Sequence, residues 1–181
     1  QRGVAHVPED RHRMAMVTNF SAEEAAILGY QDDKAYQNGL LLDWGKVADA
    51  TRNMMEEFDV RPVDPHLKAA NFSGGNQQKL VLAREMMRDP DLLLVGQPTR
   101  GVDIGAIEFI HKRIVAMRDA GKAVLLVSVE LDEIMSLSDR ILVMCDGFIV
   151  GEVNAADANE RVLGLMMAGV DPKQAESEAD K

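Results

Sequence analysis

The spacing of apolar residues along this chain changes character near residue 90. Before it the rhythm is helical, and after it short continuous apolar runs alternate with helical stretches. A brief apolar piece at residues 3–8 reads as a strand closed by Pro8-Glu9-Asp10. Ser21 is placed to cap a helix whose first turn carries Glu23 and Glu24, where the helix dipole favours carboxylates. Asp43 is placed to cap another, with Trp44, Val47, Ala48, Thr51, Met55 and Phe58 on one apolar face and Pro62 and Pro65 beyond its end. A third helix is expected from about Gly75 to Arg88, stopped by Pro90, with Leu80, Val81, Ala83, Met86 and Met87 on a broad stripe.

Leu92-Leu93-Leu94-Val95 and Ala123-Val124-Leu125-Leu126-Val127 are continuous apolar runs, as strands buried on both faces require. Between them Ile107, Ile110, Ile114 and Met117 keep helical spacing up to Gly121, and a short helix holding Leu131 and Ile134 follows. Asp146-Gly147 between Ile141–Met144 and Phe148–Val150 predicts a hairpin. A last helix holds Val162, Leu163, Leu165 and Met166. Alternating strands and helices predict an α/β fold with a parallel sheet and flanking helices. Four segments follow: a first strand and hinge at 1–10, an inserted α-helical subdomain at 11–88, an α/β lobe with hairpin and helix at 89–170, and a polar tail at 171–181 expected to be disordered.

Composition narrows the chemistry. The net charge of −10, from 30 acidic and 20 basic residues, disfavours a phosphate backbone as partner, so no nucleic acid is expected. No apolar stretch of about eighteen residues exists to span a membrane. One cysteine, Cys145, allows no internal disulfide, and the four histidines are too scattered for a zinc site, so no metal is expected. The chain opens on Gln1 rather than methionine and runs almost at once into a strand, which reads as a piece of a longer protein.

Candidate chemistry concentrates in Asn71-Phe72-Ser73-Gly74-Gly75-Asn76-Gln77-Gln78-Lys79, just before a helix. Two glycines let a ligand approach the backbone, and the free N–H groups and positive dipole end of the helix face it. Ser73 adds a hydroxyl donor, and Asn76 and Gln77 add amides, making a neutral cradle suited to a terminal phosphate. A plain helix cap on a glycine loop would use the same Ser-Gly-Gly.

The nonamer with Leu80-Val81-Leu82-Ala83-Arg84 resembles the signature helix of ABC-transporter nucleotide-binding domains, with Phe72 where leucine is usual. Val7-Pro8-Glu9-Asp10-Arg11 is similar to the Q-loop of the simple-sugar and nucleoside importer group, with Glu9 in place of glutamine. Pro98-Thr99-Arg100-Gly101-Val102-Asp103 resembles the D-loop, and Leu126 to Leu131 the switch region. The resemblance implies the C-terminal half of a tandem ABC ATPase: a partial RecA-like sheet with the Walker A strand and front β-subdomain absent. No Gly-x-x-x-x-Gly-Lys-Ser/Thr sequence occurs in the chain.

The same resemblance carries roles to single residues. Where an active site has a Mg²⁺-holding aspartate and a water-orienting glutamate, this chain has Gly96 and Gln97, and Val129 replaces the switch histidine. Its own site is expected to be degenerate, and the isolated chain inactive. Ser73, Gly74, Gly75, Asn76 and Gln77 would act in trans on ATP held with Mg²⁺ by a second nucleotide-binding domain, the N-terminal half of the same protein. Asp103 would align that opposite site, and Glu9 would relay motion to transmembrane permease subunits served by a substrate-binding protein. Such a protein sits peripherally on the cytoplasmic side of the membrane. Gly96-Gln97-Pro98 and Ile107 to His111 look more like the nucleoside branch than the ribose or galactose branch. Two other classes compete: an ABC-type ATPase of DNA repair or chromosome maintenance, and an interaction module with no nucleotide role.

Overall fold

The computed structural model describes residues 3–171, so the tail expected to be disordered lies, past Asp171, outside the described residues. The chain divides into two compact units, one through residue 125 and one from residue 126 onward.

In the first unit, β1 (Val4–Val7) runs parallel to β4 (Leu92–Gly96) in the register Val4 to Leu92 and Val7 to Val95. The order of the three-stranded sheet is β1-β4-β5, with β5 at Ala123–Val127. Between β1 and β4 the chain builds α1 (Arg11–Met14), α2 (Ala22–Ala26), the small hairpin β2 (Gln37–Asn38) and β3 (Leu41–Leu42), α3 (Trp44–Glu57) and α4 (Gly74–Met86). Helix α5 (Ile104–Asp119) then leads to β5.

The caps read from the sequence do the work expected of them. Ser21 accepts from the Glu24 N–H while Glu24 accepts from the Ser21 N–H, a complete capping box. Asp43 accepts from the N–H groups of Gly45 and Lys46. Three expectations need correcting. Trp44 lies on the angular stripe of α3 but, as its first residue after the Asp43 cap, is 48% exposed, and the buried face begins at Val47. The β2–β3 hairpin was not expected; its tip, Leu40, is 99% exposed. Strand β5 is not buried on both faces: Leu125 and Val127 are 53% and 58% exposed. An apolar run shows what a strand requires, and β5 is the last strand in its three-stranded sheet.

Helix α4 is the centre of the first unit. From Gln77 to Met86 every residue is buried, polar ones included, so this is no one-sided stripe. Among its polar members Gln77, Lys79, Arg84 and Glu85 are paired, as burial demands. Arg84 Nη1 donates to the carbonyls of Ala15 (2.8 Å) and Ala25 (3.1 Å), and its Nε to Glu85 Oε1 (2.9 Å). The Tyr30 hydroxyl donates to the other Glu85 oxygen at 2.6 Å. Lys79 Nζ reaches the carbonyl and carboxylate of Asp59 at 3.1 and 3.3 Å. These bonds pin α4 to α2 and to the end of α3, and thereby fix where its N-terminus points.

In the second unit, β6 (Arg140–Cys145) and β7 (Phe148–Asn154) form an antiparallel hairpin, with α6 (Leu131–Leu137) and α7 (Glu160–Met167) beside it. Asp146 and Gly147 both have positive φ, 49° and 82°, as the expected two-residue turn needs. Ile141, Val143, Leu163 and Met166 form its core. Among the described residues no helix is long and apolar enough to cross a membrane.

Candidate functional site

The end of β4, the start of α1 and the N-terminus of α4 meet the turn that leads into α5, and this junction collects most of the residues singled out by sequence. Ser73 is the N-cap of α4 and is exposed. Its Oγ accepts from the Asn76 backbone N–H at 3.3 Å and from Asn76 Nδ2 at 3.0 Å. The N–H groups of Gly74 and Gly75 belong to the first turn and have no partner within the helix.

The two glycines are required for packing as much as for access. A Cβ on Gly74 would lie 2.7 Å from the Gly101 carbonyl oxygen and 2.8 Å from Arg11 Nη2. A Cβ on Gly75 would lie 2.8 Å from Asp103 Oδ2 and 3.0 Å from the Ala106 methyl. The signature-like loop and the D-loop-like turn are therefore in direct van der Waals contact. Asp103 caps α5, its Oδ1 accepting from the Ala106 N–H at 2.9 Å.

Gln77 is placed differently from an exposed phosphate ligand. It is buried; its Nε2 donates to the Ala69 carbonyl at 3.0 Å, and its Oε1 meets His12 Nε2 at 2.7 Å and Arg11 Nε at 3.4 Å. Its amide ties α4 to α1. The Asn76 amide is also engaged, accepting from the Arg61 N–H at 2.9 Å through Oδ1.

Arg11 is the residue that sequence reasoning left without a role. Its Nη1 donates to the Arg100 carbonyl at 3.0 Å, and its Nη2 packs on Gly74 and Gly101. Burial, and secondarily the like charge of Arg100, lower its pKa below the ordinary arginine value, while Asp10 opposes them. The partners lie 66 and 89 residues away in sequence, so no local pattern announces them.

At the end of β4 the positions expected to be degenerate are crowded. A Cβ on Gly96 would lie 3.2 Å from the Glu9 backbone nitrogen and 3.4 Å from the Glu9 Cβ. Gln97 sits in the left-handed region at φ 46°, its carbonyl accepting from the Arg100 N–H at 3.1 Å. Glu9 itself is exposed at the entrance to α1, where Asp10 caps the helix by accepting from the N–H groups of His12 and Arg13. Val129 belongs to the second unit and is 61% exposed, just before α6. Among the described residues no three His, Cys, Asp or Glu side chains gather in a way that could hold a metal ion.

Residues 1–100 match the family model described as ABC transporter. The chain is 47% identical over 175 residues to the guanosine import ATP-binding protein NupO of Bacillus subtilis, covering 97% of this chain and 34% of that protein. It is 49% identical over 170 residues to the nucleoside import ATP-binding protein NupA of Lactococcus lactis, covering 93% and 33%. The chain thus spans about a third of the length of these curated relatives. Among solved structures, the dimeric structure of MJ0796, a bacterial ABC transporter cassette, superposes with a TM-score of 0.66 at 20% identity, covering 83% of this chain and 62% of that one. That likeness is one of fold: a mixed α/β cassette whose parallel sheet is flanked by helices.

Proposed function

The chain belongs to the ABC transporter family, and on that premise we propose that it is part of the ATP-binding component of an importer, offering Ser73, Gly74 and Gly75 to ATP held by a second nucleotide-binding domain. The observation that carries this reading is the exposed Ser73 hydroxyl at the N-terminus of a thirteen-residue helix whose first-turn N–H groups are unused within the helix.

The donor set at that end fits a terminal phosphate. Ser73 donates through its hydroxyl, Gly74 and Gly75 donate through their backbone, and the helix dipole adds positive potential where the anion sits. Asn76 and Gln77 support the loop from within, since both amides have internal partners. Asp103, in contact with Gly75, keeps the D-loop-like turn in register with the signature-like loop.

Gly96, Gln97 and Val129 do not fit Mg²⁺ or a catalytic base. Glycine offers no side chain, the glutamine amide cannot take a proton at neutral pH, and valine has no polar atom. ATP and Mg²⁺ therefore belong to the opposite, partner-supplied half of the composite site. Segment 11–88 serves as the helical subdomain facing transmembrane permease subunits, with Glu9 at its hinge and a substrate-binding protein upstream, on the cytoplasmic side of the membrane. Nucleosides are the favoured cargo over simple sugars, supported by the names of NupO and NupA.

The test uses the full-length protein. Ser73→Ala should lower ATP turnover by about a hundredfold, the loss of one preorganised donor of about 2.7 kcal/mol, and should lower nucleoside uptake in parallel. Gln97→Ala should leave turnover within about twofold, because that position contributes no base. Unchanged turnover in Ser73→Ala would favour an interaction module instead.

A further inference from the structure

The orientation of one amide decides what the Ser73 hydroxyl can offer. The Arg61 backbone N–H points at Asn76 at 2.9 Å. A backbone N–H can only donate, so the Asn76 atom facing it is Oδ1, and the amide is held in one of its two possible flips. The other end, Nδ2, is then a donor aimed at Ser73 Oγ at 3.0 Å. The Asn76 backbone N–H donates to the same oxygen at 3.3 Å.

A hydroxyl has two lone pairs and one hydrogen. Both acceptor positions of Ser73 are filled by Asn76, so only the hydrogen remains for an outside group. An ordinary N-cap serine accepts one bond and keeps a free lone pair, so its hydroxyl can face a donor or an acceptor alike. We infer that Asn76 is a positioning residue that makes Ser73 an obligate outward donor, selecting an acceptor such as a phosphate oxygen and rejecting a ligand that donates. This rests on the reading of Ser73 as a ligand of ATP in trans.

The anchor is itself braced from α4. Arg61 Nε pairs with Asp59 Oδ1 at 2.9 Å, and Asp59 Oδ2 meets the Nζ of Lys79, further along α4 from Ser73, at 3.3 Å. The bond to Arg61, then the bond to Lys79, hold the Asp59 carboxyl below the usual carboxylate range. The loop that fixes the Asn76 flip is thus tied back to the helix that Ser73 caps.

The test is a double-mutant cycle in the full-length protein, reading kcat and KM for ATP. Asn76→Leu keeps the side-chain size and removes both polar atoms. Asn76→Asp keeps an acceptor for Arg61 but offers no hydrogen to Ser73. Alone, each should lower kcat by about tenfold, with KM within about twofold, because the opposite domain already holds the nucleotide. In the Ser73→Ala background, Asn76→Leu should add less than about a twofold further loss. Equal losses from Asn76→Leu in both backgrounds would overturn the inference while leaving Ser73 as a ligand. An unchanged kcat for Ser73→Ala would overturn the reading beneath it and this inference together. Should Asn76→Leu fold poorly, judged by its melting temperature, the Asn76→Asp arm gives the same decision.

Discussion

Arg11 donates from Nη1 to the carbonyl oxygen of Arg100 at 3.0 Å, joining the segment after β1 to the turn after β4. The same guanidinium packs on Gly74 and bonds Gln77, so one side chain touches the hinge-like, signature-like and D-loop-like segments together.

Arg11→Ala should therefore loosen a junction rather than unfold a core. The bond to Arg100 is exposed to solvent, so the expected loss of stability is about 1 kcal/mol. Amide hydrogen exchange should quicken at residues 97–103 and at the start of α4. Arg11→Lys, with a single point charge in place of the fork, should restore only part of the protection.

Gly74, at the start of α4, and Gly147, in the hairpin turn, should differ in cost and in its cause. Gly74→Ala puts a methyl 2.7 Å from a backbone oxygen and should lose about 1–3 kcal/mol by overpacking. At Gly147, φ is 82° and a Cβ would meet nothing within 4 Å, so Gly147→Ala should lose only the backbone penalty of about 1 kcal/mol. Urea midpoints of the two variants read the difference.

Breaking the buried pair within α4 should be costly. Arg84 and Glu85 are 6% and 4% exposed, and removing one leaves an uncompensated charge. Arg84→Met should lose about 3–5 kcal/mol, and adding Glu85→Leu should recover part of it. Urea denaturation of the single and double variants decides this.

Stability should fall at strongly alkaline pH through Tyr30. Burial first, then its bond to the Glu85 carboxylate, push the Tyr30 phenol up to about 12 from an ordinary 10.0. A folded pKa above the unfolded one means stability that is full below pH 10 and is lost as pH rises toward 12. Tyr30 and Tyr36 are the two tyrosines, and burial also raises the Tyr36 phenol. Tyrosinate absorbance should show both titrating late, and Tyr30→Phe should flatten the alkaline fall in stability.

Local features were legible wherever a short-range rule governs them. Ser21 and Asp43 cap the helices expected of them, because a cap needs only its own first turn, and Ser73 caps α4 as the plain-cap alternative had it. Asp146-Gly147 turns the hairpin because its positive φ angles are a property of two residues. The β2–β3 hairpin instead turns on Gly39-Leu40, with only Gly39 at positive φ (66°), and its strands of two residues each leave no alternating pattern to read.

The signature-like segment, the family it belongs to and the presence of Gly96, Gln97 and Val129 were set by the order of residues alone, since each is a matter of which side chain stands at which position. Tertiary structure decided the rest. It turned the Gln77 amide inward, clasped Arg11 onto a carbonyl 89 residues away, and left one face of β5 open. It also fixed the Asn76 flip through an N–H fifteen residues earlier in the chain. Each of these depends on which distant atom arrives within hydrogen-bond or van der Waals reach, and the spacing of residues along the chain holds no record of that distance.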